Sequence, residues 1–152
     1  EIASCLVGSE MCIRDRWDEH PMSLPVRNNA TLARRWGATQ ASRGRDVLPA
    51  GTLPDSQAAS TDFGNVSHLV PGIHPLVKIA PEGTALHTTD FAAAAISDQA
   101  FEGAFDAAVG LAQTIADILN DPQLLADAQE EFRLAGGAIS VEKLLAGAAE
   151  QP

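Results

Sequence analysis

The clearest hydrophobic rhythm in the chain lies in its last third. Phe101, Phe105, Ala108, Ala112, Ile115 and Leu119 recur every three to four residues, the spacing of one face of an α-helix. Ser97 supplies an N-cap hydroxyl in front of them, and Asp98 suits the positive end of the helix dipole. This stripe is predicted to face the core. The other side carries Gly103, Gly110 and several alanines, small enough to pack closely on a sheet. Asp121 then caps a second helix with Pro122 at its first position. Leu125, Ala128 and Phe132 form its stripe, and Gly136 with Gly137 ends it. Asp127, Glu130 and Glu131 are assigned to its solvated face. One or two alanine-rich helical turns are predicted over 91–95, with Asp90 as the acid at their N-terminal end. A short tail helix is predicted over 140–149.

Earlier in the chain the apolar pattern is weaker. Residues 17–25 are polar and contain Pro21 and Pro25, so they read as irregular. Asn28 or Asn29 can cap a helix through Leu32, Ala33 and Trp36 that stops near Gly37. Residues 38–59 hold Gly44, Pro49, Gly51 and Pro54 and read as a long loop, with a brief strand at Val47 and Leu48. In residues 72–81, Ile73, Leu76, Val77 and Ile79 predict a strand covered on both faces. Pro71 and Pro75 limit where that strand can pair. A strand, a polar turn and then a helix predict an α/β fold, with ligand chemistry at the edge of its sheet.

The side chains suited to chemistry gather in the same stretch. Residues 60–91 hold three of the four histidines, His68, His74 and His87, with Asp62 and Asp90 alongside. Imidazole and carboxylate together can hold a metal ion. His74 can line a substrate pocket or cap the strand through a hydrogen bond. Asp62 can orient a site group or bond its own backbone in a turn, and Asn65 is analogous, with Gly64 giving a permissive backbone. His87 can be a ligand or a loop histidine. His68 reads as structural or surface.

Composition narrows the picture after one exclusion. Residues 6–15, LVGSEMCIRD, match the translation of a sequencing-library adapter, so residues 1–16 are set aside as non-native and residues 17–152 read as a C-terminal fragment whose upstream coding sequence is missing. Cys5 and Cys12 leave with them, which removes disulfides and thiolate ligands and fits a cytoplasmic protein. The formal net charge of −10 leaves no basic surface for nucleic acid. No apolar run approaches the roughly 20 residues of a membrane span.

Three motifs in order then suggest a family. Ser60-Thr61-Asp62-x-Gly64-Asn65-Val66-Ser67, Val70-Pro71-x-Ile73-His74-Pro75 and His87-Thr88-x-x-Phe91 resemble the C-terminal part of M20-type metallopeptidases. Within these the chain is most similar to the amidohydrolase branch that contains the peptidase M20 domain-containing 2 proteins and the aminobenzoyl-glutamate hydrolases. The resemblance implies a mostly parallel sheet flanked by helices, incomplete here, with a dimerisation domain inserted elsewhere in the whole enzyme. It implies hydrolysis of an amide bond in an N-acyl or aminobenzoyl amino acid or small dipeptide, through water activated by two ions of zinc or manganese. His87 falls at the place of the family's last metal ligand, and His74, Asp62 and Asn65 at substrate-binding places. Many relatives carry an arginine just after the motif aspartate, where Phe63 stands here. The general base, the other ligands and the dimer-forming domain would lie upstream, so a homodimer is implied for the whole enzyme and inactivity for this piece alone. The competing reading is a non-catalytic fragment or a small α/β binding module.

Overall fold

The computed structural model describes residues 23–49, 52 and 61–140. The adapter-like residues 1–16 and residues 141–149 of the predicted tail helix lie outside them. Five helices follow in order: α1 (Ala30–Ser42), α2 (Phe63–Ser67), α3 (Thr89–Ala94), α4 (Asp98–Asn120) and α5 (Pro122–Leu134).

Local chemistry explains where most of them start. The side chains of Asn29, Thr88, Ser97 and Asp121 accept hydrogen bonds from backbone amides of the first turns of α1, α3, α4 and α5. Helix α1 runs past the expected stop at Gly37. That glycine is buried, and a Cβ there would lie 3.2 Å from Val47 Cγ1, so it serves close packing of the loop and not termination. The stop comes at Arg43, followed by Gly44 in the left-handed region at φ 82°. Helix α2 has no signature in the sequence. Its five residues are too few to show a hydrophobic period, and tertiary bonds hold it. Fully buried Ser67 donates its hydroxyl to the Gly64 carbonyl and accepts from the Arg27 amide at 2.9 Å.

The predicted α/β class and its parallel sheet are overturned: the described residues are helical and contain no strand. Residues 71–79 carry no regular secondary structure and join no strand ladder among the described residues. They do alternate as a strand would. Ile73, Val77 and Ile79 are half-buried, whereas His74, Leu76 and Lys78 are exposed. The inward set lies on α4, where a Cβ on Gly103 would meet Ile79 Cγ2 at 2.9 Å and Val77 Cγ1 at 3.5 Å. One face is therefore covered, not two, and a ladder needs a neighbour that these residues do not provide. Val47 and Leu48 are exposed and also form no strand.

Helices α1, α4 and α5 pack against one another. The buried apolar residues are Leu32, Trp36, Ala80, Ala100 and Ala128, and the largest fully buried side chains, Gln40 and Ser67, are polar. Polar ties complete the contact between α1 and α4. Gln40 Nε2 donates to the Asp106 carbonyl at 2.8 Å, and Arg35 pairs with Asp117. Gly110 lets α1 approach, since a Cβ would lie 2.7 Å from Trp36 Nε1 and closer still to Gln40 Nε2. The large apolar stripe of α4 does not enter this core: Phe101 and Leu119 are 75% and 78% exposed. The core burial expected for that stripe is therefore overturned, whereas the close packing expected of the small-residue side is present, against α1 and residues 77–79 and not against a sheet. That side, Ala100, Gly103, Gly110 and Thr114, is the buried one. Glu131 also departs from the solvated face assigned to it, being half-buried against the start of α1.

Asp106 clamps the end of α1 and the loop after it. Its two carboxylate oxygens accept from Arg43 Nε and Arg45 Nε, and these hydrogen bonds, Arg43 first, hold its pKa below the ordinary carboxylate value. A lowered folded-state pKa gives stability that is full above the unfolded value of about 3.9 and is lost as pH falls through the lower folded value. Thermal melts followed by circular dichroism should show the parent chain ahead of Asp106→Asn near neutral pH, with the two converging in acid below the ordinary carboxylate range. A gap that persists unchanged well below that range would remove the clamp from the account.

Candidate functional site

His87 stands at the end of the turn that leads into α3. Thr88 fixes that turn from both sides, donating its hydroxyl to the Ala85 carbonyl at 2.7 Å and accepting from the Phe91 amide at 3.2 Å. Among the described residues His87 is the one non-glycine residue with positive φ, at 61°. A left-handed backbone costs an L-residue roughly 1–2 kcal/mol. Its side chain is exposed. Among the described residues no three His, Cys, Asp or Glu side chains are grouped to hold a metal ion. These residues therefore do not make a metal site by themselves, and one imidazole is what they can offer to one.

The other predicted residues occupy a separate corner built by α2 and residues 71–74. His74 is exposed, its backbone amide donates to Asn28 Oδ1 at 2.8 Å, and its ring lies 5.4 Å from that of Phe63 at 32°. Asp62 directly precedes Phe63 in the chain, and the structure shows contact with the Phe63 ring for His74. The Asp62 carboxylate is exposed, with the Thr61 hydroxyl 3.4 Å from it, and its carbonyl accepts from the Asn65 amide at 3.0 Å in the first turn of α2. Asn65 is half-buried, and its Oδ1 accepts from the Leu24 amide at 2.8 Å, fastening the incoming chain. His68, read as structural or surface, is half-buried against the incoming chain. Its Nε2 lies 3.1 Å from the Pro25 carbonyl oxygen, and its own carbonyl accepts from the Ile139 amide at 2.9 Å.

Sequence reasoning missed Arg27 and Glu131. Glu131 serves α1 from 100 residues away, accepting from the Thr31 amide at 2.9 Å and the Thr31 hydroxyl at 2.7 Å, and from the Ala30 amide. Burial pushes its carboxyl up. The bonds from Thr31 and Ala30 more than offset that and leave its pKa below the ordinary value. Arg27 donates to the carbonyls of Ala135 and Gly137 at 2.9 and 2.7 Å and lies over the Phe132 ring at 4.4 Å, capping the end of α5. Both line a shallow cleft with Asn28, Asn29, Phe132 and Ala135. It contains none of the predicted site residues, and both charged groups in it are committed to helix ends. No local signal could have revealed pairings this remote in sequence.

The chain is similar to two dipeptidases. It is 37% identical over 91 residues to the Xaa-Arg dipeptidase of Homo sapiens, covering 60% of this chain and 21% of that protein. It is 33% identical over 105 residues to the Xaa-Arg dipeptidase of Mus musculus, covering 69% of this chain and 24% of that protein. The chain is thus a distant homologue of these peptidases over part of its length, and it spans about a fifth to a quarter of the curated relatives it matches. No family model matches it. No solved structure matches it. Among the described residues no helix is long and apolar enough to cross a membrane.

Proposed function

We propose that this chain is part of a longer M20-type amidohydrolase that cleaves the amide bond of a small dipeptide or N-acyl amino acid, with dipeptides of the Xaa-Arg kind as the first substrates to test. The observation that carries this reading is its homology to Xaa-Arg dipeptidases. The described residues derive no catalytic step. In the proposed enzyme His87 contributes one ligand to zinc or manganese, and the remaining ligands and the general base come from the rest of the protein. His74, against the Phe63 ring, and the exposed Asp62 would offer a ring and a carboxylate toward a small polar substrate, and Asn65 holds Leu24 of the incoming chain. The complete protein is proposed as a cytoplasmic homodimer.

A second reading, a non-catalytic fragment, draws support from the exposed His87 and from the missing metal-capable cluster among the described residues. Activity separates the two. The protein from the complete open reading frame is expected to hydrolyse Xaa-Arg dipeptides, or aminobenzoyl and other N-acyl amino acids. Chelation should abolish that activity, zinc or manganese should restore it, and the chain alone should show none. A complete protein that turns over none of these substrates with either metal present would leave the non-catalytic reading.

A further inference from the structure

Helix α4 is apolar on both faces, and only one of them is covered. Its small-residue side meets α1 and residues 77–79. On the other side Phe101, Phe105, Ile115 and Leu119 are 75%, 56%, 59% and 78% exposed, and Ala108 and Ala112 between them are exposed as well. The helix has 23 residues, so the stripe runs along most of a rod about 34 Å long. The charges nearest its middle do not break it. Asp106 and Asp117 turn toward Arg43, Arg45 and Arg35, and no charged residue lies between them. A helix at a protein surface normally carries a polar face, whereas one that is apolar all round belongs to an interior. The thin core agrees, because among the described residues three of the five buried apolar ones are alanine.

Length identifies what covers this face. The homologous dipeptidases are four to five times longer than the part this chain matches. We infer that the stripe of Phe101, Phe105, Ile115 and Leu119 is an intramolecular docking face on which the remaining part of the longer polypeptide packs an uncharged, apolar surface. This rests on the reading above that the chain is part of a longer enzyme. It makes α4 the central helix of the complete domain, covered by α1 on its small-residue side and by the absent part on its large-residue side.

Two substitutions test it, each placing a charge where the helix dipole favours it: Phe101→Glu near the N-terminal end and Ile115→Lys near the C-terminal end. In the chain alone each is expected to leave the melting temperature within about 2 °C of the parent and to lower the binding of an apolar dye, because these side chains already face water. In the complete protein each is expected to lower the melting temperature by at least about 5 °C, because a charge enters a covered apolar contact. Equal tolerance in both forms overturns the inference. So does a chain that sediments as a dimer and that Ile115→Lys makes monomeric, since the face then belongs to a second copy. A complete protein that shows the sensitivity but cleaves no amide substrate keeps the docking face and removes the enzymatic reading.

Discussion

Gly64→Ala is expected to destabilise the chain by about 3–5 kcal/mol, the sum of an overpacking cost and two disturbed hydrogen bonds. The reason is space, not backbone conformation, because Gly64 is absent from the positive-φ glycines. A Cβ at this position would lie 2.8 Å from the carbonyl carbon of Leu24 and far inside the van der Waals radius of its oxygen. These are backbone atoms, and no flexible side chain can yield. Leu24 itself is held by the bond from its amide to Asn65 Oδ1, and three residues on, the Arg27 amide is held by Ser67 Oγ at 2.9 Å. Moving the incoming chain away from α2 strains both ties at once, and Ser67 is fully buried. With whole-domain stability typically about 5–15 kcal/mol, a loss of this size removes much of the folded population. Gly83→Ala is the matched control. Gly83 sits at φ 85° with nothing within 4 Å, so alanine there meets only the conformational cost of about 1–2 kcal/mol. Urea unfolding should place the two variants far apart, and a Gly64→Ala chain as stable as Gly83→Ala would show that the contact with Leu24 relaxes cheaply.

The same corner shows which parts of the structure were legible in the sequence. Helix starts were, because a cap and the amides it satisfies lie within three residues of each other. Ser97 and Asp121 were each identified from their own chemistry, and the first cap was narrowed to Asn28 or Asn29, of which the structure uses Asn29. The apolar content of residues 72–81 was also legible, but its coverage on both faces was not, because burial alternates and only one side is covered. Whether an extended segment becomes a strand depends on a partner elsewhere, and here the reading failed. It failed on α4 for a related reason. Burying Phe101 and Leu119 gains more than burying glycine and alanine, so the larger residues were assigned inward. The structure instead places Gly103 and Gly110 inward, because Ile79, Trp36 and Gln40 approach closer than any larger side chain would allow. Of the candidate site, residue types were legible and placement was not. Nothing in the sequence separates the left-handed backbone of His87 from the ordinary backbone of His74, and nothing announces that Asn65 spends its oxygen on Leu24.

His87→Ala in the complete enzyme is expected to lower kcat/KM by at least about 100-fold, since loss of groups that merely support a metal ligand already costs about 10–100-fold. The backbone makes this position unusually testable. His87 occupies the left-handed region at φ 61°, where glycine is relaxed and asparagine is tolerated better than alanine. His87→Gly should therefore raise the melting temperature slightly by relieving the backbone, and His87→Asn should leave it nearly unchanged, while both remove the imidazole and the activity with it. Thr88 keeps its bonds to Ala85 and Phe91 in all three variants, so α3 keeps its start. A strained residue that serves only the turn would behave differently, because glycine would then gain stability and leave turnover intact. Metal content measured on the purified variants adds a second reading. If His87 is a ligand, bound zinc or manganese falls in parallel with activity across alanine, glycine and asparagine. If metal content and turnover both survive in His87→Gly, the imidazole has no part in the reaction, and the left-handed backbone at residue 87 is a feature of the turn alone.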